Sequence, residues 1–116
     1  MSIAVGGITF DARDARVPAS FWAAALGRSL ADGASEASAA VEADPAIPGS
    51  RISFRQVPEG KSVKNRVHLD LFTGDLEAEV RRLTGLGAAT LRETNAGLRY
   101  VTLADPEGNE FDLIAR

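Results

Sequence analysis

The sequence predicts an α+β fold in which two tandem βαβββ modules form a single domain of 116 residues. In each half of the chain, hydrophobic periodicity changes from that of a strand to that of a helix and back again. The two halves also superimpose at a shift of 61 residues, which places Gly7 on His68, Asp14 on Asp75, and Asp44-Pro45 on Asp105-Pro106. Chance matches would not also preserve the order of strand and helix, so we predict a duplicated module, over about 1–58 and about 64–116.

The first module begins with a strand and an amphipathic helix. Ile8 and Phe10 alternate with small or polar residues, which is typical of a half-buried strand. Apolar residues then recur at helical spacing over about 14–26, where Asp14 can cap the start of the helix and Gly27 can end it. A strand is predicted over 52–57. Strand structure is also indicated within 31–43, but this segment is poor in bulky side chains, and the structure of about 28–50 is left open.

The second module repeats this order. Apolar residues at 67, 69 and 71 alternate with His68, Asp70 and Phe72, which predicts a strand. Asp75 can cap a helix that carries apolar residues at 76, 80 and 83 and is stopped by Gly85 and Gly87. Three further strands are predicted over 90–94, 98–104 and 110–115.

The composition argues against several kinds of binding partner and site. The formal net charge of -3 provides no basic field for a phosphate backbone, so nucleic acid is not expected as a partner. The absence of cysteine excludes disulfides and thiolate metal sites. No apolar run is long enough to span a bilayer and the start lacks the features of a signal peptide, so we expect no membrane partner and a cytoplasmic protein.

Four segments of the chain carry a family resemblance. They are FWAAALG (21–27), KNRVHLDL (64–71), DLEAEVRRLTGLGA (75–88) and DPEGNEFDL (105–113). In this order and spacing the chain resembles the vicinal oxygen chelate superfamily of glyoxalases, bleomycin-resistance proteins and extradiol dioxygenases, and within it the small glyoxalase-like domains. The resemblance implies paired βαβββ modules whose strands curl as a mixed sheet around a cleft, commonly completed by a homodimer.

Strand parity predicts which side chains face that cleft. When apolar alternates pack beneath a helix, the residues between them point to the other face of the sheet. The candidate ligand-binding residues are therefore Thr9, Asp11, Arg51, Ser53, Arg55, Asp70, Phe72 and Glu110. Arg51 and Arg55 would suit a carboxylate or phosphate group, and the alternative is a surface strand with paired charges.

Only part of a metal site is present. In metal-dependent relatives, four strands each supply one ligand, typically two histidines and two glutamates, which leaves open positions for substrate oxygens. The resemblance places these ligands at Gly7, at Ser53 or Arg55, at His68 and at Asp112. Glycine has no donor and arginine repels a cation, so we predict an incomplete site. A divalent metal held by His68 and Asp112, with Asp11 or Glu110 as a displaced ligand, is the alternative.

His68 is the only histidine, and its role is open between a structural hydrogen bond, substrate contact with acid–base chemistry, and metal ligation. Asp70 either orients it or faces solvent. Two main hypotheses follow. The first is a protein that binds a small organic molecule, anionic or aromatic, without changing it. The second is a lyase or isomerase in which His68 with Asp112, or a metal, moves a proton beside a carbonyl. A protein-interaction domain is a third interpretation.

Overall fold

A computed structural model describes residues 2–116 and confirms the predicted α+β class. The elements in chain order are β1 (Gly7–Ala12), α1 (Arg16–Leu26), β2 (Ser38–Val41), β3 (Arg51–Gln56), β4 (Asp70–Thr73), α2 (Leu76–Leu86), β5 (Ala89–Ala96), β6 (Leu98–Ala104) and β7 (Glu110–Ala115). They form two compact units, the first ending at Gly60 and the second starting at Lys61. Neither helix of the described chain has the length and apolar character needed to cross a membrane.

The first unit has a three-stranded sheet in the order β1-β3-β2, in which β1 runs parallel to β3 and β2 runs antiparallel to it. Phe10 and Phe54 are cross-strand partners, and their rings stack with centroids 5.5 Å apart. Phe21 and Trp22 of α1 are buried with Phe54. Phe21, Trp22 and Phe54 belong to the apolar core of the unit, and the half-buried ring of Phe10 stacks on that of Phe54.

The first module departs from the predicted βαβββ pattern because one strand is reduced to a single bridge between Leu30 and Val41. Residues 31–37 are Ala, Asp, Gly, Ala, Ser, Glu and Ala, which offer little cross-strand side-chain contact to stabilise a strand. A turn residue, Gly33 at φ 83°, also interrupts this stretch. β2, which the sequence left open, lies within 28–50.

The boundaries of α1 differ slightly from the prediction. The helix begins at Arg16, and Ala15 occupies the N-cap position without a side-chain cap hydrogen bond. Asp14 lies one residue earlier, where its Oδ1 accepts a hydrogen bond from the Arg16 N–H at 3.1 Å. Gly27 ends the helix at φ 64°, as predicted, because glycine adopts left-handed backbone angles without steric cost.

The second unit is a complete βαβββ module with the sheet order β4-β7-β6-β5. β4 is parallel to β7, and the other neighbours are antiparallel. Asp75 caps α2, since its side chain accepts a hydrogen bond from the Ala78 N–H at 3.1 Å. Gly87 ends the helix, whereas Gly85, the other predicted stop, lies inside it.

The strand predicted over 67–72 starts later than expected, at Asp70. Before that residue, the Asn65 side chain replaces part of the backbone ladder. The Glu110 N–H donates to Asn65 Oδ1 at 3.0 Å, and the Asn65 N–H donates to Glu110 Oε2 at 3.3 Å. The segment 65–69 therefore approaches β7 through the hydrogen bonds of Asn65 with Glu110 and through one backbone bond, from the Asp112 N–H to the Leu69 carbonyl.

The register of this sheet separates an apolar face from a polar one. Val101 pairs with Leu113 and Leu103 pairs with Phe111, and all four side chains are buried. Leu76 and Val80 of α2 line a groove together with Val101, which places the helix on this apolar side. Leu71, the partner of Leu113, lies on the same side, as predicted. The alternate residues of β4, β6 and β7 consequently share the face that points away from α2. This face carries Asp70, Thr102 and Asp112 and is called the polar face.

Candidate functional site

His68, Asp70 and Asp112 form a compact cluster on the polar face of the second sheet. The imidazole Nε2 of His68 lies 3.2 Å from Asp70 Oδ1 and 3.3 Å from Asp112 Oδ2. Asp70 and Asp112 are register partners in β4 and β7, and His68 precedes Asp70 by two residues. The structure thus brings the predicted pair His68 and Asp112 together. Asp70 contacts the imidazole although its side chain is 54% exposed.

Asp112 has a second partner that the sequence analysis missed. Thr102 faces it across β6 and β7, and the Thr102 hydroxyl donates to Asp112 Oδ1 at 2.5 Å. Thr102 is only 2% exposed, so this hydroxyl has no competing solvent. The two carboxylate oxygens of Asp112 therefore have different partners, Thr102 at Oδ1 and His68 at Oδ2. Strand parity alone could not identify Thr102, because the pairing register of β6 was unknown.

The side chains of this cluster can hold either a shared hydrogen atom or a metal cation. One ligand atom from each of its three side chains lies within 4.8 Å of the others. An imidazole nitrogen and two carboxylate oxygens are ligands that zinc, manganese and nickel accept in proteins. The same arrangement also suits an Nε2–H group that donates to both carboxylates. Three donors from this unit fit a cation but do not supply the fourth protein ligand expected from the resemblance.

The corresponding places in the first unit lack such donors. Thr9 pairs with Ser53 in the parallel strands β1 and β3, as Asp70 pairs with Asp112 in β4 and β7. By this register Gly7 corresponds to His68, Thr9 to Asp70, Ser53 to Asp112, and Ala40, the partner of Ser53, to Thr102. Ser53 rather than Arg55 is therefore the register equivalent of Asp112, a point that the sequence left undecided. Neither an imidazole nor a carboxylate is present among these four side chains.

Gly7 has a structural reason to be glycine. A Cβ atom at this position would lie 2.6 Å from the Arg51 carbonyl oxygen, a separation that real Cβ atoms do not tolerate. Any side chain at Gly7 would force the backbones of β1 and β3 apart. The ligand place in the first strand is thus closed to a side chain by the backbone of this sheet.

The remaining candidates in the first unit lie on one face of the sheet. Thr9, Asp11, Arg51, Ser53 and Arg55 are alternate residues of β1 and β3, as parity predicted. Arg51 Nη1 lies 3.3 Å from Glu42 Oε2, and both side chains are well exposed. For Arg51, the structure therefore agrees with the alternative of paired surface charges.

Glu110 is engaged by the chain itself. Its Oε1 lies 2.6 Å from Lys61 Nζ, and its side chain is 15% exposed. The Lys61 ammonium, followed by the Asn65 N–H, holds the pKa of Glu110 below its usual value. The stabilisation from this pairing is present above the unfolded pKa and is lost as the pH falls through the lowered folded pKa. Glu110 thus anchors residues 61–65 and is not a free ligand.

Phe72 adds an exposed aromatic surface to the polar face. Its side chain is 59% exposed, and it follows Asp70 by two residues in β4. The Arg116 guanidinium lies 4.6 Å from the centre of its ring, a cation–π contact. The face therefore combines an imidazole between carboxylates with an aromatic ring and a cation. Arg116 was not among the predicted residues.

Comparison with known proteins supports the predicted family. A family model described as a glyoxalase-like domain matches residues 7–114. A search of curated proteins found no significant match. The resemblance drawn from the four sequence segments is confirmed by the family model, which spans almost the whole chain.

Solved structures share the fold at low sequence identity. The fosfomycin resistance protein FosX from Mesorhizobium loti has a TM-score of 0.74 and 14% identity over 100% of this chain and 94% of that chain. A glyoxalase/bleomycin resistance protein/dioxygenase family enzyme from Burkholderia phytofirmans has a TM-score of 0.74 and 18% identity over 97% and 98%. A FosX mutant from Listeria monocytogenes, complexed with Mn(II) and 1S,2S-dihydroxypropylphosphonic acid, has a TM-score of 0.73 and 15% identity over 98% and 90%.

Proposed function

We propose that this chain, which belongs to the glyoxalase-like domain family, binds a small organic molecule through His68, Asp70 and Asp112 without a resident catalytic metal. The contrast between the two units carries the proposal. The second unit holds three donor side chains in one cluster, whereas Gly7, Thr9 and Ser53 at the matching places of the first unit carry no charged donor. Three protein ligands can hold a catalytic zinc ion, but the resemblance implies four, and two of the three side chains here, His68 and Asp70, are about half exposed.

The surroundings of the cluster define the ligand in chemical terms. Asp112 and His68 can accept a hydrogen bond from a hydroxyl or N–H group of a ligand, since a carboxylate and the second nitrogen of a neutral imidazole are acceptors. The exposed Phe72 ring, two residues after Asp70 in β4, offers apolar contact. The Arg116 guanidinium, which lies over that ring, provides a positive charge. These features favour a small molecule with a polar group at one end and an aromatic or anionic group at the other.

A second candidate function is a metal-assisted lyase or isomerase. The observation that favours it is the set of three ligand atoms within 4.8 Å of one another. The Listeria monocytogenes structure with a similar fold contains Mn(II) and a dihydroxypropylphosphonic acid. In this chain His68, Asp70 and Asp112 would hold the cation, which would supply Lewis-acid polarisation of a substrate oxygen. The two functions differ in whether the cluster binds a cation on its own.

Ligand binding can be measured through the imidazole of His68, because an untagged protein gives a single set of histidine signals. We expect that, in a panel of small carboxylates, phenols and hydroxy acids, compounds that bind will shift the His68 Cε1–H signal in a saturable way. In Asp112→Asn the affinity should fall about tenfold, since a hydrogen bond to a charged group is removed. NMR titration of the metal-free protein gives both values.

Asp32→Asn is the matched control, since Asp32 is an exposed loop residue outside the cluster. It should leave the affinity of every compound unchanged. A compound that raises the midpoint of thermal unfolding but does not move the His68 signal binds elsewhere. That result for all binding compounds would contradict the proposed function.

A further inference from the structure

We infer that Thr102 is a positioning residue for this site and that, by fixing Asp112, it makes His68 present Nδ1 as the hydrogen-bond acceptor for a ligand. The inference rests on the proposed function only in calling the acceptor a ligand contact. The arrangement of Thr102, Asp112 and His68 is a property of the ligand-free protein. Because Nδ1 is an acceptor, the ligand group that contacts His68 is a hydrogen-bond donor such as a hydroxyl, an enol or an N–H.

Thr102 has the burial and geometry of a fixed donor. It is 2% exposed and faces Asp112 directly in the antiparallel register of β6 and β7. An ionised carboxylate can only accept hydrogen bonds, so in the 2.5 Å contact the hydroxyl is the donor. Threonine is β-branched and its χ1 angle is restricted, which keeps the hydroxyl aimed at Oδ1. The carboxylate of Asp112 is thereby prevented from rotating freely.

The fixed carboxylate determines which imidazole nitrogen is used. With Oδ1 engaged by Thr102, Oδ2 of Asp112 faces His68 Nε2 at 3.3 Å, and Asp70 Oδ1 approaches the same nitrogen at 3.2 Å. Both carboxylates are acceptors, so Nε2 carries the hydrogen. In a neutral imidazole the other nitrogen, Nδ1, then holds a lone pair.

Nδ1 is the free atom of this ring. Within residues 2–116, the polar contacts of His68 are those of Nε2 with the two aspartates, and the imidazole remains 44% exposed. A ligand that donates a hydrogen bond can approach Nδ1 without displacing either carboxylate.

The first unit supports a role that is specific to the site. Ala40 occupies the place of Thr102 beside Ser53, and the unit forms its sheet without a hydroxyl there. A buried hydroxyl is therefore not a requirement of the repeated module. It occurs in the unit that also carries the imidazole and the two carboxylates.

The test is the tautomer of His68, measured by long-range ¹H–¹⁵N correlation NMR on the EDTA-treated full chain. The pH is raised until the imidazole signals no longer move. We expect the wild type to show a protonated Nε2 and an unprotonated Nδ1. In Thr102→Val the ratio of the Nε2–H to the Nδ1–H form should fall about threefold to tenfold, the factor expected for one net hydrogen bond. Thr102→Ser, which keeps the hydroxyl, should restore the wild-type ratio.

A predominant Nδ1–H form in the wild type, or an unchanged ratio in Thr102→Val, would overturn the inference. If Thr102→Val does not fold, Asp112→Asn is measured instead, and its ratio should fall by a similar factor. An unchanged ratio in that variant would also overturn it. All of these values come from ligand-free protein, so their failure is distinguishable from failure of the ligand titration that tests the proposed function.

Discussion

Phe111→Ala is expected to lower the free energy of unfolding by about 3–5 kcal/mol, the largest loss predicted for this chain. Phe111 is 1% exposed and pairs with the fully buried Leu103 on the side of the sheet that faces α2. Its removal leaves a cavity in the core beneath α2. Among the described residues of the second unit, the other two aromatic side chains, Phe72 and Tyr100, lie on the opposite face of the sheet and do not fill this core. Urea unfolding followed by circular dichroism measures the change.

Phe72→Ala is the matched control, since it deletes the same side chain from the polar face. Phe72 is largely exposed, and its ring contacts the Arg116 guanidinium. We expect a loss below about 1 kcal/mol, because little apolar surface returns to water and only an exposed cation–π contact is removed. Similar losses in the two variants would contradict the assignment of the two faces, and with it the position of the His68 cluster.

Gly7→Ala is expected to lower the free energy of unfolding by about 1–3 kcal/mol, the usual cost of forcing an atom into filled space. The added Cβ would meet the Arg51 carbonyl oxygen, which belongs to the neighbouring strand backbone and cannot rotate away. β1 or β3 must therefore shift, and the six-residue register between them is strained. Thermal or urea unfolding by circular dichroism gives the value.

Gly6→Ala serves as the control for Gly7→Ala. A Cβ at Gly6 would have no heavy atom within 4 Å among the described residues, so the change should alter stability by no more than about 0.5 kcal/mol. If Gly7→Ala were as stable as Gly6→Ala, the first strand could accommodate a side chain. The backbone of β3 would then not exclude a side chain from this position.

The second module and its central pair were predictable from the sequence. Alternation placed His68, Asp70 and Phe72 on one face, and the family motif placed Asp112 beside them; the structure joins His68 to Asp112 through Nε2 and Oδ2. Asp75 and Gly87 act as the predicted signals at the two ends of α2. These features depend on local sequence, which parity and capping rules describe well.

Features that depend on strand register could not be predicted. Thr102 and the equivalence of Ser53 with Asp112 follow only from the pairing of β6 with β7 and of β1 with β3. The pairing of Glu110 with Lys61 joins residues far apart in the sequence, so no local pattern indicated it. The first module has a single bridge, between Leu30 and Val41, in place of its fourth strand. The small side chains of residues 31–37 gave no hydrophobic alternation from which this could be predicted. A shared cleft, a homodimer and a cytoplasmic location stay predictions.

Calorimetric titration of metal-free, untagged protein with Mn²⁺ and, separately, with Ni²⁺ decides whether the His68 cluster binds a metal ion on its own. We expect no one-to-one binding in the micromolar range, because His68, Asp70 and Asp112 are the only clustered metal-ligating side chains in residues 2–116 and two of them are well exposed. One equivalent of either ion bound at micromolar or tighter affinity, and lost in His68→Ala, would contradict it and favour the metal-assisted enzyme.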